Sequence, residues 1–307
     1  MRKRRFALVV TLLLSVLLGA TGCSDTQSKT DQTAASVQQS AGTYAQQITV
    51  DDASFTDEEI AYAEDNLGYE RYSDLDVLGR CGEAMACLGP ETLPARGEER
   101  ESISEVHPTG WHSIRYDFVD GGSLYNRSHL IGWALSAENA NERNLVTGTR
   151  WMNADVMRPF EEDVADYIYK TDNHVLYRST PVFEGDELVC RGIRVEALSL
   201  EDGGREINFD VWCPNLQPGV TIDYATGDAW IDEETIDDVV EDASSRGDDA
   251  IDRDAEGTYI LNTSSKKIHE PDCEGVQDMS PRNREEFTGS IAEAERLGYN
   301  LCPQCLG

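Results

Sequence analysis

The stretch Leu124-Tyr125-Asn126-Arg127-Ser128-His129-Leu130-Ile131-Gly132, taken with Asn144, Asn153 and Glu161 downstream, decides how this chain is read. Just upstream, Ile114-Arg115-Tyr116-Asp117-Phe118-Val119 alternates apolar and polar side chains, and Asp120-Gly121-Gly122 supplies residues that tolerate positive φ. That pattern predicts a β-hairpin in which Leu124 to Leu130 returns as the second strand. Residues two apart on a strand share a face. Arg127 and His129 are therefore expected to project together, with Asn126 and Ser128 pointing the other way.

A connection rich in Asn (Asn139, Asn141, Asn144) then leads to Trp151-Met152-Asn153 and a helical segment. Pro159 suits a first helical turn, where its missing N–H is not needed, and Glu161-Glu162-Asp163 would place negative charge at that helix N-terminus. A strand-borne His facing a helix-borne amide and carboxylate points to phosphodiester chemistry. Imidazole can deprotonate water near neutral pH, and hard oxygen donors suit Mg²⁺. His107, His112 and His174 are rival bases, but their sequence neighbours carry no site pattern and each is expected to be a structural hydrogen-bonder.

From Leu78-Gly79-Arg80-Cys81 to Ile222-Asp223-Tyr224-Ala225-Thr226-Gly227, about half of the chain, the sequence resembles the DNA/RNA non-specific endonuclease family. These are the ββα-metal nucleases, which include competence-type DNA-entry nucleases. The family signature is Asp-Arg-Gly-His, then a metal-binding Asn and, eight residues on, a Glu. Here Asn126-Arg127-Ser128-His129, Asn153 and Glu161 keep that spacing, with Asn126 where Asp is usual and Ser128 where Gly is usual.

The resemblance implies an α+β fold: a ββα-metal nuclease with a central antiparallel sheet flanked by helices. It implies cleavage of DNA and RNA with little sequence preference. His129 would be the general base, and one Mg²⁺ (or Mn²⁺) on Asn153 would stabilise the leaving 3′ oxygen. Glu161 would orient the metal's waters or add a ligand, with Glu162 as its rival one residue away. Arg127 is expected at the scissile phosphate, Asn144 behind the site ordering the loop, and Asn126 in a supporting position.

Charge speaks against strong polyanion binding. The chain has 58 acidic against 26 basic residues, a formal net charge of −32, whereas nucleic-acid binders usually present a basic surface. Binding is therefore expected to be weak and dependent on divalent cations. Arg115, Arg127, Arg143, Arg150 and Arg158 surround the motif in sequence and supply local positive charge, to which a bound cation would add.

The ends carry other signals. Residues 1–22 combine a basic start (Arg2, Lys3, Arg4, Arg5) with an apolar run from Phe6 to Leu18, as in a secretory signal. Leu18-Gly19-Ala20-Thr21-Gly22-Cys23 looks like a lipobox, so Cys23 is expected to be lipidated and the protein exported and anchored at the cell surface. An ordinary signal peptide with an incidental Cys is the alternative. Residues 23–50 read as a flexible polar tether. Residues 51–77 read as an acidic lead-in containing a helix from Thr56 to Leu67, with Thr56 and Glu59 as a capping box.

The catalytic domain is placed at residues 78–230. Its later strands are expected at His174 to Phe183, Glu187 to Leu200 and Glu206 to Cys213. Residues 231–256 are acidic and read as a linker.

Residues 257–307 form a second, small module. A strand at Thr258 to Asn262, a helix from Ser290 to Leu297 and the pattern His269-x₃-Cys273 with Cys302-x₂-Cys305 predict a Zn²⁺-stapled unit. With Cys23 set aside, Cys81–Cys87 and Cys190–Cys213 disulfides plus three metal-bound thiols account for every cysteine. The alternative is a disulfide within the C-terminal set and one free thiol. Two other functions fit the sequence: a catalytically weak nucleic-acid-binding lipoprotein that captures DNA, or a toxin-type nuclease.

Overall fold

The computed structural model describes residues 28–95, 97, 98, 100–237, 239, 256–271, 273, 276, 279, 282–302 and 305. The signal sequence, Cys23 and most of the acidic 231–256 linker lie outside the described residues. The chain divides into two compact units, the smaller made mainly of residues 231–307.

The larger unit is built on an antiparallel sheet of six strands. In chain order they are β1 (Thr49–Asp51), β2 (Glu70–Tyr72), β3 (Ala84–Leu88), β6 (Val175–Val182), β7 (Gly192–Ser199) and β8 (Asn208–Pro214), arranged β1-β8-β7-β6-β3-β2. A separate two-stranded ribbon pairs β4 (Tyr125–His129) with β5 (Leu145–Thr149). The helices are α1 (Lys29–Ser40), α2 (Asp57–Asp65), α3 (Trp133–Ser136) and α4 (Arg158–Thr171).

The strand period of two sorts the core onto both faces of the sheet. Ala84, Ala86 and Leu88 of β3, with Val175 and Tyr177 of β6, join Phe160, Val164 and Ile168 of α4 in the main core. Met85, Cys87 and Leu176 face the other way and are covered by Ala63 and Ile60 of α2. The Thr56–Glu59 capping box that starts α2 is present. The central antiparallel sheet flanked by helices is the architecture expected.

Several local expectations are corrected. The partner of β4 is β5, across the 130–144 connection, and all five residue pairs from Tyr125↔Thr149 to His129↔Leu145 are made. Residues 114–124 pair only briefly, through the bridge Arg115↔Ser123 and the bonds from Tyr116 N–H to the Gly122 carbonyl and from Leu124 N–H to the Ile114 carbonyl. Consecutive turns, Val119 N–H to the Tyr116 carbonyl and Gly122 N–H to the Val119 carbonyl, curl this segment, with Gly121 and Gly122 at φ 69° and 73°. The two positive-φ glycines thus turn the chain back on itself, but the antiparallel pairing around them ends within residues 114–116 and 122–124.

The helix carrying Glu161 starts earlier than Pro159 suggests. Helical backbone begins at Arg150, widens into a π-type turn over Met152–Met157, and continues as α4. Pro159 therefore follows another helical turn, and the wide π turn accommodates its missing N–H. Glu161 does not sit at a free helix N-terminus.

Residues 28–51 are not a tether. Ser28 and Asp31 form a capping box for α1, Val37, Ala41 and Ile48 are buried, and β1 pairs with β8 at the edge of the sheet. Lys29 Nζ lies 2.9 Å from Asp163 and 3.0 Å from Asp166, both on α4.

The described cysteines are unbridged. Cys87 faces the α2 side of the sheet while Cys81 lies in the main core, so the strand itself separates that pair. Cys190 receives a contact from the Asn215 amide, which also donates to the Thr147 and Cys190 carbonyls, while Cys213 sits on β8 opposite Ile193.

In the smaller unit, strand Glu256–Asn262 pairs antiparallel with both Lys267–His269 and Arg284–Ser290, followed by helix Ile291–Arg296. Asn300–Leu301 adds a short parallel strand beside Lys267–Ile268. Leu261, Ile268, Ile291, Ala294 and Tyr299 form its core.

Candidate active site

A cavity of about 740 Å³ opens beside the β4–β5 ribbon and the start of α4. Asn126, Arg127 and His129 of β4 line it, as do Asn153 of the π turn and Glu161 and Glu162 of α4. Ser128 does not. The expectation that Asn126 turns away from the site is therefore corrected, while Ser128 is fully buried behind the strand.

His129 is 6% exposed and bonded at both ring nitrogens. Nε2 is 3.3 Å from the Asn139 carbonyl oxygen, which can only accept, so Nε2 carries the proton. The lone pair is thus on Nδ1, which accepts from Arg100 Nη2 at 3.2 Å. Burial, and then the Arg100 cation, pull the imidazole pKa down to about 4. The ring is neutral at pH 7 and able to accept a proton.

The β4–β5 connection is pinned from behind. Asn144 Oδ1 accepts from Ile131 N–H at 2.9 Å, and its Nδ2 donates to the Ile131 carbonyl at 3.0 Å. These reciprocal bonds, with Asn144 fully buried, fix the chain two residues beyond His129.

Glu161 lies at the cavity wall with no hydrogen bond or ion pair among the described residues. The surrounding protein, and then the Glu162 carboxylate, push its pKa up to about 7. Residues eight apart on an unbroken α-helix are rotated about 80° from each other. The π turn between Asn153 and Glu161 changes that rotation, and both side chains reach the same cavity. A carboxylate that makes no hydrogen bond, beside an amide oxygen, is a donor set that fits a hard divalent cation.

Arg127 is not placed as a free phosphate ligand. Its Nε donates to the Val106 carbonyl, its Nη2 donates to the Ser104 carbonyl at 2.8 Å, and its guanidinium lies 4.1 Å from the centre of the Trp111 ring. Of the other arginines near the motif in sequence, Arg150 and Arg158 line the cavity. Arg150 is paired with Asp120 at 2.6 Å, and Arg158 lies 3.7 Å from Glu162. Arg143 pairs with Asp74, and Arg115 bonds Ser123.

Residues 60–200 match the DNA/RNA non-specific endonuclease family. A deoxyribonuclease of Streptococcus dysgalactiae subsp. equisimilis is 28% identical over 151 residues, 47% of this chain and 45% of that protein. The match thus spans under half of that relative's length. Among solved structures, Sda1 nuclease with bound zinc ion is 26% identical over 62% of this chain and 99% of its own, with a TM-score of 0.54. NucA from Streptococcus agalactiae with magnesium ion bound is 24% identical over 59% of this chain and 84% of its own, with a TM-score of 0.50.

Within residues 60–200 the expected site residues His129, Asn153 and Glu161 line one cavity, and Ser128 finds its explanation. A Cβ on Gly148 of β5 would lie 2.1 Å from Ser128 Oγ, so the hydroxyl occupies space left by a glycine across the ribbon. Arg100 was invisible to sequence reasoning because it lies in a charged run, Gly97 to Glu101, with no diagnostic spacing. His112 lines the cavity but its Nε2 is 3.1 Å from the Thr226 carbonyl. His174 is held between Glu201 at 2.6 Å and Glu91 at 3.3 Å, and exposed His107 bonds the Glu105 carbonyl.

In the smaller unit, the donor atoms of His269, Cys273, Cys302 and Cys305 all lie within 4.8 Å of one another. Both ring nitrogens of His269 are buried without a hydrogen-bond partner. Burial, and then the neighbouring thiols, hold the Cys305 thiol well above the usual range. Three thiols and an orphaned imidazole at this separation fit a tetrahedral soft-donor metal site.

Proposed function

We propose that this protein is a metal-dependent, sequence-nonspecific endonuclease that hydrolyses phosphodiester bonds of DNA and RNA. The observation that carries this is the neutral His129, its proton fixed on Nε2 by the Asn139 carbonyl, facing a cavity that also holds Asn153 and Glu161. His129 Nδ1 takes the proton of the attacking water once the Arg100 guanidinium turns from that nitrogen to the phosphate and frees its lone pair. Arg100, already beside that nitrogen, supplies the cationic donors for the phosphate in place of Arg127. Asn153 and Glu161 hold Mg²⁺ (or Mn²⁺). When bound, that ion supplies positive charge to offset the charge developing on the phosphate and the leaving oxygen. Asn144 keeps the loop behind His129 in place.

Recognition rests on backbone phosphates, so little sequence preference follows. Full-length protein incubated with plasmid DNA and with RNA is expected to cut both with Mg²⁺ and neither with EDTA. Intact substrates across divalent metals would overturn the enzyme and leave the DNA-capture reading.

The chain is also proposed to be exported and held at the cell surface through lipid on Cys23. Cys23→Ser is expected to move it from the membrane fraction to the medium. His269, Cys273, Cys302 and Cys305 are proposed to hold a structural Zn²⁺. Elemental analysis should find zinc in the purified protein and lose it in Cys302→Ser.

A further inference from the structure

Trp111 lines the cavity, and the Arg127 guanidinium is stacked on its ring at 4.1 Å. Two main-chain carbonyls, of Ser104 and Val106, hold that guanidinium, which fixes its plane. A cation whose Nε and Nη2 are tied to backbone and whose plane is fixed is poorly oriented to clamp a phosphate. A planar group locked against an indole is instead a flat, rigid surface. Arg127 lies two residues from His129 on the same face of β4, about 7 Å along the strand. That is the reach from a phosphate at His129 to the base of its own nucleotide. Ile103, Ile114 and Trp133 add apolar wall to the same cavity, which phosphate recognition alone does not require.

We propose that the Trp111–Arg127 stack is a nucleobase platform, taking the base of the nucleotide next to the scissile phosphate. This rests on the nuclease reading of the site and deepens it. Every base has a π-face, so stacking on indole or guanidinium holds a nucleotide without selecting sequence. A base so held has left its duplex stack, which makes single-stranded nucleic acid the preferred substrate class.

The test uses the full-length chain with Mg²⁺, the dinucleotide d(TpT), and the same phosphodiester with both bases replaced by hydrogen. Trp111→Ala should lower kcat/KM for d(TpT) by roughly 5- to 150-fold, the value of one stacked base, and leave the abasic compound within about twofold of wild type. Trp111→Phe should keep most of the activity. Wild type should cut single-stranded oligonucleotide faster than duplex, and Trp111→Ala should narrow that gap. Equal losses on both compounds would overturn the platform, leaving Trp111 only as a support for Arg127, and so would no loss on either.

If wild type cuts nothing, the nuclease reading has failed, and equilibrium binding of the same two compounds decides the platform. Tighter binding of d(TpT) by wild type, abolished in Trp111→Ala, supports it. Equal binding by wild type overturns it.

Discussion

The backbone of Gly132 lies so close to Glu161 that a Cβ at residue 132 would sit 2.9 Å from the carboxylate Oε1 and 3.2 Å from Cδ. Its φ of −61° is open to any residue, so glycine is needed here for space and not for conformation. Gly132→Ala is expected to displace the Glu161 carboxylate while leaving the fold intact. Steady-state kinetics should show kcat falling by about 100-fold, the order expected for an ångström-scale misplacement, with Tm close to wild type.

The proposed metal role of Glu161 ties ion binding to pH and stability. Its pKa is raised to about 7 in the folded chain, so folding binds a proton more tightly than the unfolded carboxyl does. The stability this contributes is full below the ordinary carboxyl range and is lost as pH rises towards 7. Metal-free protein should therefore show a Tm that declines across that window, and Mg²⁺ should raise it most at pH 7.5 and above. Glu161→Gln should flatten the decline and remove the Mg²⁺ response. A pH-independent Mg²⁺ effect in both proteins would contradict the assignment.

His129, held at about 4 by burial and by Arg100, should stay an effective base well below the ordinary imidazole range. At saturating Mg²⁺, kcat should lose its base only as pH falls towards 4. Arg100→Gln removes the nearby cation and leaves the burial, the larger cause, so its acid limb should move up only part of the way to the ordinary imidazole range, alongside a loss of rate from the weaker phosphate contact.

Gly148 and Ser128 are expected to couple. A Cβ on residue 148 would meet Ser128 Oγ at 2.1 Å and Met152 Cε at 2.7 Å, so Gly148→Ala should cost about 1–3 kcal/mol by overpacking. Ser128→Gly in the same chain should recover part of that loss. Denaturant melts of the two single variants and the double variant measure the coupling, and strict additivity would contradict it.

That His129, Asn153 and Glu161 meet at one cavity was legible in the sequence because they sit at fixed local spacings: His129 on a strand, then Asn153 and Glu161 eight residues apart. The Cys and His set was legible for the same reason, since each half lies within one short turn. What could not be read was long-range or sterically conditional. Nothing before residue 145 announces that β5, and not residues 114–119, pairs with β4. The π turn leaves no signature in Met152–Met157. Arg100 reaches His129 from 29 positions away, by a loop whose composition is merely charged. The sparse stripe Thr30, Val37 and Ala41 was too polar in context to distinguish α1 from a tether.

The central claim is that His129 is the general base, and the most direct measurement compares full-length wild type with His129→Ala on plasmid DNA at pH 7.5 with Mg²⁺. The wild type should cut and the variant should lose at least about 100-fold, with its Mg²⁺-dependent Tm rise preserved because Asn153 and Glu161 remain. A variant that cuts at the wild-type rate would contradict it.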